Sequence, residues 1–230
     1  MVKPNSRTPH LTKGTKEFVD KLEKSGAPPL YTLTPQEARE VLNQTQSGNV
    51  RLPEVEREDL YMPVGPSGRT AVRIIRPVAK KNEALPYFLF IHGGGWIMGN
   101  KDTHNRLVSE LAAQSGRAAV FVDYPPSPEA RYPEAVEQAY AVLEHLDVEG
   151  RKYSLSGNKP IVVGDSVGGN MSLAAALMSQ KKKGPKIERL VLFYPVTDAN
   201  FETESYNDFA EGPWLTKKAM QWFWDAYLPE

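Results

Sequence analysis

The chain has 230 residues, of which 40% are hydrophobic and 24% are charged, values typical of a globular domain with one sizeable core. They exclude a disordered chain, a collagen-like repeat and a coiled coil. The 28 Lys and Arg balance the 28 Asp and Glu, so a formal net charge of zero gives no indication of nucleic-acid binding or of attraction to an anionic membrane. The lack of cysteine excludes disulfides, thiolate zinc sites, iron–sulfur clusters and a cysteine nucleophile.

Neither a metal site nor a membrane span is indicated by the sequence. The four histidines, His10, His92, His104 and His145, show no ligand spacing. No apolar run is long enough to cross a bilayer, and the N-terminal residues lack the apolar segment of a signal peptide. We therefore expect a cytoplasmic protein with no membrane span.

Residues 1–50 are polar, contain several prolines and predict two short amphipathic helices. The second helix has a clear start signal, because Thr34 is followed by Pro35 and, three positions on, by Glu37, the pattern of a capping box. Two short helices without a strand cannot bury their apolar faces alone. We expect residues 1–50 to pack on the rest of the chain as a cap or arm.

Residues 51–197 alternate between apolar strands and amphipathic helices, which favours a mostly parallel sheet covered by helices on both faces. The first two strands are joined by a turn at 65–68 and are predicted to add an antiparallel hairpin. Strands are predicted at 56–63, 69–77, 87–91, 118–123, 160–163 and 188–194, and helices at 103–114, 133–146 and 166–180.

Residues 198–230 do not continue the alternation of strands and helices and are expected to form a second part of the cap. The first half, 198–213, is polar and irregular, and Thr216 then caps a last helix over 217–227. No further strand follows 188–194, so this strand is expected to present an unpaired apolar edge. Such an edge promotes self-association.

The sharpest chemical signal is the segment 164–168, Gly-Asp-Ser-Val-Gly, which fits the pattern G-x-S-x-G between a buried strand and a helix. The two glycines allow a tight turn that exposes the hydroxyl of Ser166 at the start of the helix. The helix N-terminus supplies positive potential and the amide of Val167, which points toward a developing oxyanion. Ser166 is therefore the candidate nucleophile, the alternative being an ordinary glycine-rich turn.

A second signal, His92-Gly93-Gly94-Gly95-Trp96, directly follows the predicted strand 87–91. Three consecutive glycines let backbone amides approach a ligand without side chains in the way. Together with Val167, the amides of these glycines predict an oxyanion hole. A phosphate-binding turn is disfavoured, because G-x-G-x-x-G would require glycine where Met98 stands.

These two motifs, at 92–96 and 164–170, resemble those of the hormone-sensitive-lipase-like (family IV) carboxylesterases of the α/β-hydrolase fold. The segments Tyr124 to Pro133, Tyr194 to Asp198 and Gly212 to Thr216 support the resemblance, which extends over essentially the whole chain. It implies ester hydrolysis through an acyl-enzyme on Ser166, with Gly93, Gly94 or Gly95 and Val167 as oxyanion donors and no metal or cofactor. The residue after the nucleophile is commonly alanine in that family and is valine here.

The triad of this fold runs Ser, then Asp or Glu, then His along the chain, and no histidine follows Ser166 here. We therefore expect a C-terminally incomplete relative that lacks the last strands of the fold, with the acid and the base outside the sequence. The resemblance favours a loop-holding role for His92 over a role as base. His104 and His145 are expected to be solvated, and Asp198 to cap a turn, with service as triad acid as its alternative.

The sequence therefore predicts a carboxylester hydrolase for short- to medium-chain acyl esters, weakly active because the base is missing. Two alternatives stay open: a non-catalytic small-molecule binder on the same scaffold, and an amidase or peptidase. Trp96 and Trp214 are candidates for contact with the substrate within a larger aromatic set, with burial in the cap core as the alternative.

Overall fold

The computed structural model describes residues 11–48 and 50–229, with the side chain of Asn158 excepted. His10 lies outside the described residues. The strands are β1 (Val55–Met62), β2 (Thr70–Pro77), β3 (Leu85–Ile91), β4 (Ala118–Val122), β5 (Leu155–Asp165) and β6 (Arg189–Phe193). The helices are α1 (Lys13–Lys24), α2 (Pro35–Gln46), α3 (Asn105–Ser115), α4 (Glu134–Glu149), α5 (Val167–Lys182), α6 (Glu204–Asp208) and α7 (Lys217–Tyr227).

The six strands form one sheet in the order β1-β2-β4-β3-β5-β6. The pairs β3–β4, β3–β5 and β5–β6 are parallel, whereas β1 and β2 form an antiparallel hairpin and β2 also runs antiparallel to β4. The predicted α/β architecture, a mostly parallel sheet with an antiparallel edge, is thereby confirmed. Among the described strands β1 and β6 lie at the two edges of the sheet, and the side chain of Val191 on β6 is 38% exposed.

The strands β3 and β4 are apolar along almost their whole length because helices cover both faces of the sheet. Along β3, alternate side chains point to opposite faces. Leu89 and Ile91 enter the larger core cluster, whereas Phe88 and Phe90 enter the smaller cluster on the other face. The continuous apolar run therefore fills two cores at once.

The helix α2 packs where the carboxyl ends of the parallel strands meet. The capping box of α2 is present, with Thr34 Oγ1 accepting from the Glu37 amide at 3.3 Å and Glu37 Oε2 accepting from the Thr34 amide at 2.8 Å. Ala38 of α2 is fully buried, and Leu42 packs against the core. The division into a core at 51–197 and cap segments at 1–50 and 198–230 stays a prediction.

Two predicted boundaries were wrong. The strand expected at 160–163 extends over Leu155–Asp165, because its polar first half pairs with the start of β3 across a register shift. The segment 198–213, expected to be irregular, contains α6, whose N-terminus is capped by Thr203 Oγ1 accepting from the Tyr206 amide at 3.5 Å. Over the described ranges, no helix has both the length and the apolar character needed to cross a membrane.

Candidate active site

Ser166 occupies the sharp turn between β5 and α5. Its φ of 54° and ψ of −118° lie in a region that side-chain-bearing residues rarely adopt. Its amide donates to Phe193 O at 2.9 Å, and its carbonyl accepts from the Val196 amide at 3.1 Å. The last residue of β6 and the segment just after it thus bind the amide and the carbonyl of the strained Ser166.

Glycine is required around this turn because the backbones pass close together. A Cβ on Gly164 would collide with the backbone of Gly168, and a Cβ on Gly168 would collide with Ile91 O. A Cβ on Gly169 would stand 2.8 Å from the Cβ of Pro195. The glycines of the motif therefore permit the close packing of α5 on β3 that holds Ser166 at the surface of the sheet.

Ser166 is partly exposed and lines a cavity of about 700 Å³. Among the described residues its hydroxyl has no hydrogen-bond partner. The wall of the cavity combines apolar side chains from residues 30–42, from residues 94–107 and from residues 214–223 with a few polar groups. Its apolar members are Leu30, Leu42, Met98, Leu107, Trp214, Leu215, Met220 and Phe223.

The glycine turn after β3 faces the same cavity with Gly94 and Gly95. Within residues 11–48 and 50–229, the amides of these two glycines donate no hydrogen bond. The Gly93 amide, in contrast, donates to Asp165 Oδ1 at 2.9 Å. The expectation that Gly93 supplies an oxyanion donor was therefore wrong, because its hydrogen is already committed.

Val167 begins α5 directly after Ser166 and is fully buried. Its amide is among the first of the helix, which have no partner within the helix, and no described acceptor takes it. The positive end of the α5 dipole lies at the same place. The amides of Val167, Gly94 and Gly95 are thus the available donors beside Ser166.

Asp165 and His104 form a polar pair at the floor of the cavity. The Asp165 carboxylate oxygen Oδ2 lies 3.5 Å from His104 Nε2, and the two side chains are only 11% and 13% exposed. Burial raises the pKa of Asp165, but the neighbouring His104 and the Gly93 amide outweigh burial and hold that pKa below its ordinary value. The prediction that His104 is solvated was wrong, since the turn before α3 directs its ring inward.

The sequence offered only a weak signal for this pair. A single histidine just before a helix gives no indication of which residue it contacts, and neither does the aspartate next to Ser166. The turn at 100–103 supplies the reason for the inward orientation, because Asn100 Oδ1 accepts the amides of Asp102 and Thr103 and bends the chain.

His92 is buried and stacks on the ring of Tyr124, with 4.0 Å between the ring centroids. Its Nδ1 donates to Gly93 O at 2.8 Å. Burial, with a contribution from His104, lowers the pKa of His92 to about 3. His92 does not line the Ser166 cavity, which supports the loop-holding role over that of a base.

The two candidate tryptophans differ in position. Trp96 is 1% exposed and lies parallel to Tyr227, with 4.0 Å between the ring centroids, and it does not line the cavity. Its predicted contact with substrate was therefore wrong, because the indole is buried against Tyr227. Trp214 does line the cavity and is 45% exposed at its mouth.

The remaining candidates do not join the site. Asp198 is exposed, and its Oδ1 accepts from the Asn200 amide at 2.9 Å, which is the turn-capping arrangement. His145 is half-buried and its Nε2 lies 2.9 Å from the Tyr153 hydroxyl, so the expected solvation of its ring was also wrong.

A serine on a strained strand-to-helix elbow, above a mostly parallel sheet and beside free backbone amides, defines an α/β hydrolase. A family model described as alpha/beta hydrolase fold matches residues 88–230. The chain belongs to this family, which confirms the resemblance seen in the two motifs.

Three relatives illustrate the similarity. A protein of Acanthamoeba polyphaga mimivirus, named as an alpha/beta hydrolase, is 39% identical over 92% of this chain and 60% of its own length. An esterase of Gibberella moniliformis is 37% identical over 72% of this chain and 52% of its own length. The crystal structure of a thermostable esterase from Pseudomonas putida is 41% identical, with a TM-score of 0.92 over 98% of this chain and 70% of that one. The chain thus spans between about half and three fifths of the Gibberella and mimivirus proteins.

Proposed function

We propose that the chain carries the acyl-transfer centre of a carboxylester hydrolase, with Ser166 as the nucleophile. The amides of Gly94, Gly95 and Val167 are its oxyanion donors. One observation carries the proposal: an unbonded serine hydroxyl on a strained elbow shares a cavity with glycines whose amides have no acceptor among the described residues. Such preorganised donors stabilise the charge that develops on a carbonyl oxygen during acyl transfer.

The cavity supports a small ester as substrate. Its size, about 700 Å³, and its apolar walls suit a short- to medium-chain acyl group. The names of the Gibberella and Pseudomonas relatives favour an ester over an amide bond. In this proposal the chemistry requires no metal or cofactor, because the serine itself forms the covalent acyl intermediate.

The reaction also needs a base to take the proton of Ser166. No histidine follows Ser166 in the sequence. His92 is buried outside the cavity, and both ring nitrogens of His104 already face polar partners. We therefore expect these 230 residues to acylate slowly, retaining about 10³- to 10⁴-fold acceleration over water from binding and the oxyanion donors.

A fluorophosphonate probe tests this assignment. It should label the chain slowly, at Ser166, and the labelled peptide should be identified by mass spectrometry. Ser166→Ala should abolish labelling, whereas Ser67→Ala, at the exposed turn of the β1–β2 hairpin, should leave it unchanged. Labelling of Ser166→Ala at the unchanged rate, or tight binding of esters with no acylation at all, would favour the non-catalytic binder instead.

We also propose self-association through the β6 edge and a cytoplasmic location. The position of β6 at an edge of the sheet and the exposure of Val191 support self-association.

The cytoplasmic location is tested by fractionation of cells that express the protein, and recovery of the protein with the membrane pellet would contradict it.

A further inference from the structure

The peptide groups on both sides of Gly93 are held by hydrogen bonds. The N–H of Gly93, in the His92–Gly93 peptide group, donates to Asp165 Oδ1 at 2.9 Å, and the carbonyl oxygen of Gly93, in the Gly93–Gly94 peptide group, accepts from His92 Nδ1 at 2.8 Å. The carbonyl of His92 is fixed in turn by the Tyr124 hydroxyl at 2.8 Å. With both peptide planes fixed, the Gly94 amide, which lies in the second plane, and the Gly95 amide have no acceptor among the described residues, and both glycines line the cavity.

Asp165 can hold the Gly93 amide only while its carboxylate keeps one orientation. A buried carboxylate with too few partners is costly, and it either rotates toward water or takes up a proton. His104 faces the second oxygen of this carboxylate, Oδ2, at 3.5 Å. This contact leaves Oδ1 directed at Gly93.

His104 is itself fixed from the other side of its ring. Its Nδ1 lies 2.9 Å from Thr103 Oγ1, and that hydroxyl also donates to Asn100 O at 2.9 Å. With one nitrogen facing Thr103 and the other facing Asp165, the ring has no free nitrogen for the hydroxyl of Ser166. His104 therefore cannot act as the base without losing its contact with Thr103 or with Asp165.

We propose that His104 is a positioning residue of the oxyanion turn, acting through Asp165 to fix the Gly93 peptide. Its relevance to catalysis rests on the proposed acyl-transfer function, but its structural effect does not. A glycine turn has no side chains to anchor it, so the elbow supplies the anchor from the residue next to the nucleophile.

The test follows the Gly93 amide directly. His92-Gly93 is the one His-Gly pair in the sequence, so a chain labelled with ¹³C-carbonyl histidine and ¹⁵N-glycine gives a single assigned amide signal. In the parent chain this proton should lie downfield and exchange slowly. His104→Leu should move the signal upfield and speed its exchange at least about tenfold. His104→Gln, whose amide can still donate to Asp165, should restore most of both properties.

His145→Leu is the matched control, because it removes a half-buried histidine that contacts Tyr153 away from the glycine turn. It should leave the Gly93 signal unchanged. In the same variants, fluorophosphonate labelling of Ser166 should slow about tenfold in His104→Leu and recover in His104→Gln.

The two proposals fail in different ways. An unchanged Gly93 signal in folded His104→Leu overturns the positioning role, whatever the labelling rate is. A shifted signal with no labelling in the parent chain upholds the positioning role and contradicts the nucleophile. If His104→Leu does not fold, the comparison of parent and His104→Gln decides: loss of the downfield shift in folded His104→Gln overturns the proposal, and its retention supports it.

Discussion

Arg39 of α2 forms a two-point ion pair with Glu129, with Nη1–Oε1 at 2.9 Å and Nη2–Oε2 at 2.6 Å. The same guanidinium donates to Ile97 O at 2.8 Å and to Ser127 O at 2.9 Å. One side chain of the cap thus holds the chain just beyond the glycine turn and the loop after β4. The fork geometry of arginine makes this possible, and lysine could not reproduce it.

Arg39→Met should lower the free energy of unfolding by about 1–2 kcal/mol, because two backbone carbonyls lose a charged donor. The ion pair contributes little of this, since Glu129 is 60% exposed. Urea unfolding measures the change, and limited proteolysis should show faster cleavage of the segment 25–48. Lys16→Met, which breaks the exposed pair with Asp20 in α1, should have no measurable effect. Equal effects of the two substitutions would contradict the anchoring role.

Gly168→Ala should destabilise the protein by at least about 2 kcal/mol, although alanine is the better helix former. The reason is the collision of the new Cβ with Ile91 O. Gly14→Ala in α1 is the control, because its Cβ would meet nothing within 4 Å. That change should be neutral or stabilise by up to about 1 kcal/mol. Thermal and urea unfolding measure the stability of both variants. A Gly168→Ala protein as stable as the parent would show that the turn can accommodate a Cβ at this position.

The buried His92 should make stability fall in acid. Its pKa is about 3 in the folded protein against 6.5 for an ordinary histidine, so the unfolded chain binds the extra proton between these values. The contribution of His92 is therefore complete above about pH 6.5 and declines by up to about 1.4 kcal/mol per pH unit as the pH falls toward 3.

His92→Asn tests this pH dependence, because the asparagine amide can still donate to Gly93 O but does not titrate. The slope of unfolding free energy against pH between 6.5 and 4 should be shallower in this variant than in the parent. Parallel curves for parent and His92→Asn would mean that the ring is already charged or hydrated in the folded state.

Val191→Lys should reduce self-association of the chain. A charged side chain on an outer strand opposes pairing with a strand of another molecule. Val148→Lys is the control, since Val148 is 78% exposed on α4, away from the sheet edge. Sedimentation velocity over a range of concentrations measures both, and association that is unaffected by Val191→Lys would place the contact elsewhere.

The sheet and the elbow could be predicted because their signals are local. A buried strand followed by Gly-x-Ser-x-Gly already contains the turn, the helix start and the exposed hydroxyl. The positions of Trp96 and His104 could not be predicted in this way. Trp96 packs on Tyr227, 131 positions along the chain, and His104 faces Asp165, 61 positions along it. Only the assembled fold brings these pairs together.

The Gly93 amide was misassigned for a related reason. Three glycines in a row are equivalent as sequence, and the carboxylate that distinguishes the first of them comes from another strand. The short helix α6 was different, because Thr203 followed by Glu204 is a local start signal that the polar character of the segment obscured.

Because Trp96 and Trp214 differ in their exposure to solvent, tryptophan fluorescence can report on the cavity. Of the four tryptophans, Trp96 is buried between the rings of Trp224 and Tyr227, whereas Trp214 is 45% exposed and the other two are partly buried. Acrylamide should quench the emission of the outer indole and spare the inner one. A molecule that enters the cavity should shield Trp214, so its arrival can be followed by fluorescence even where no bond is broken.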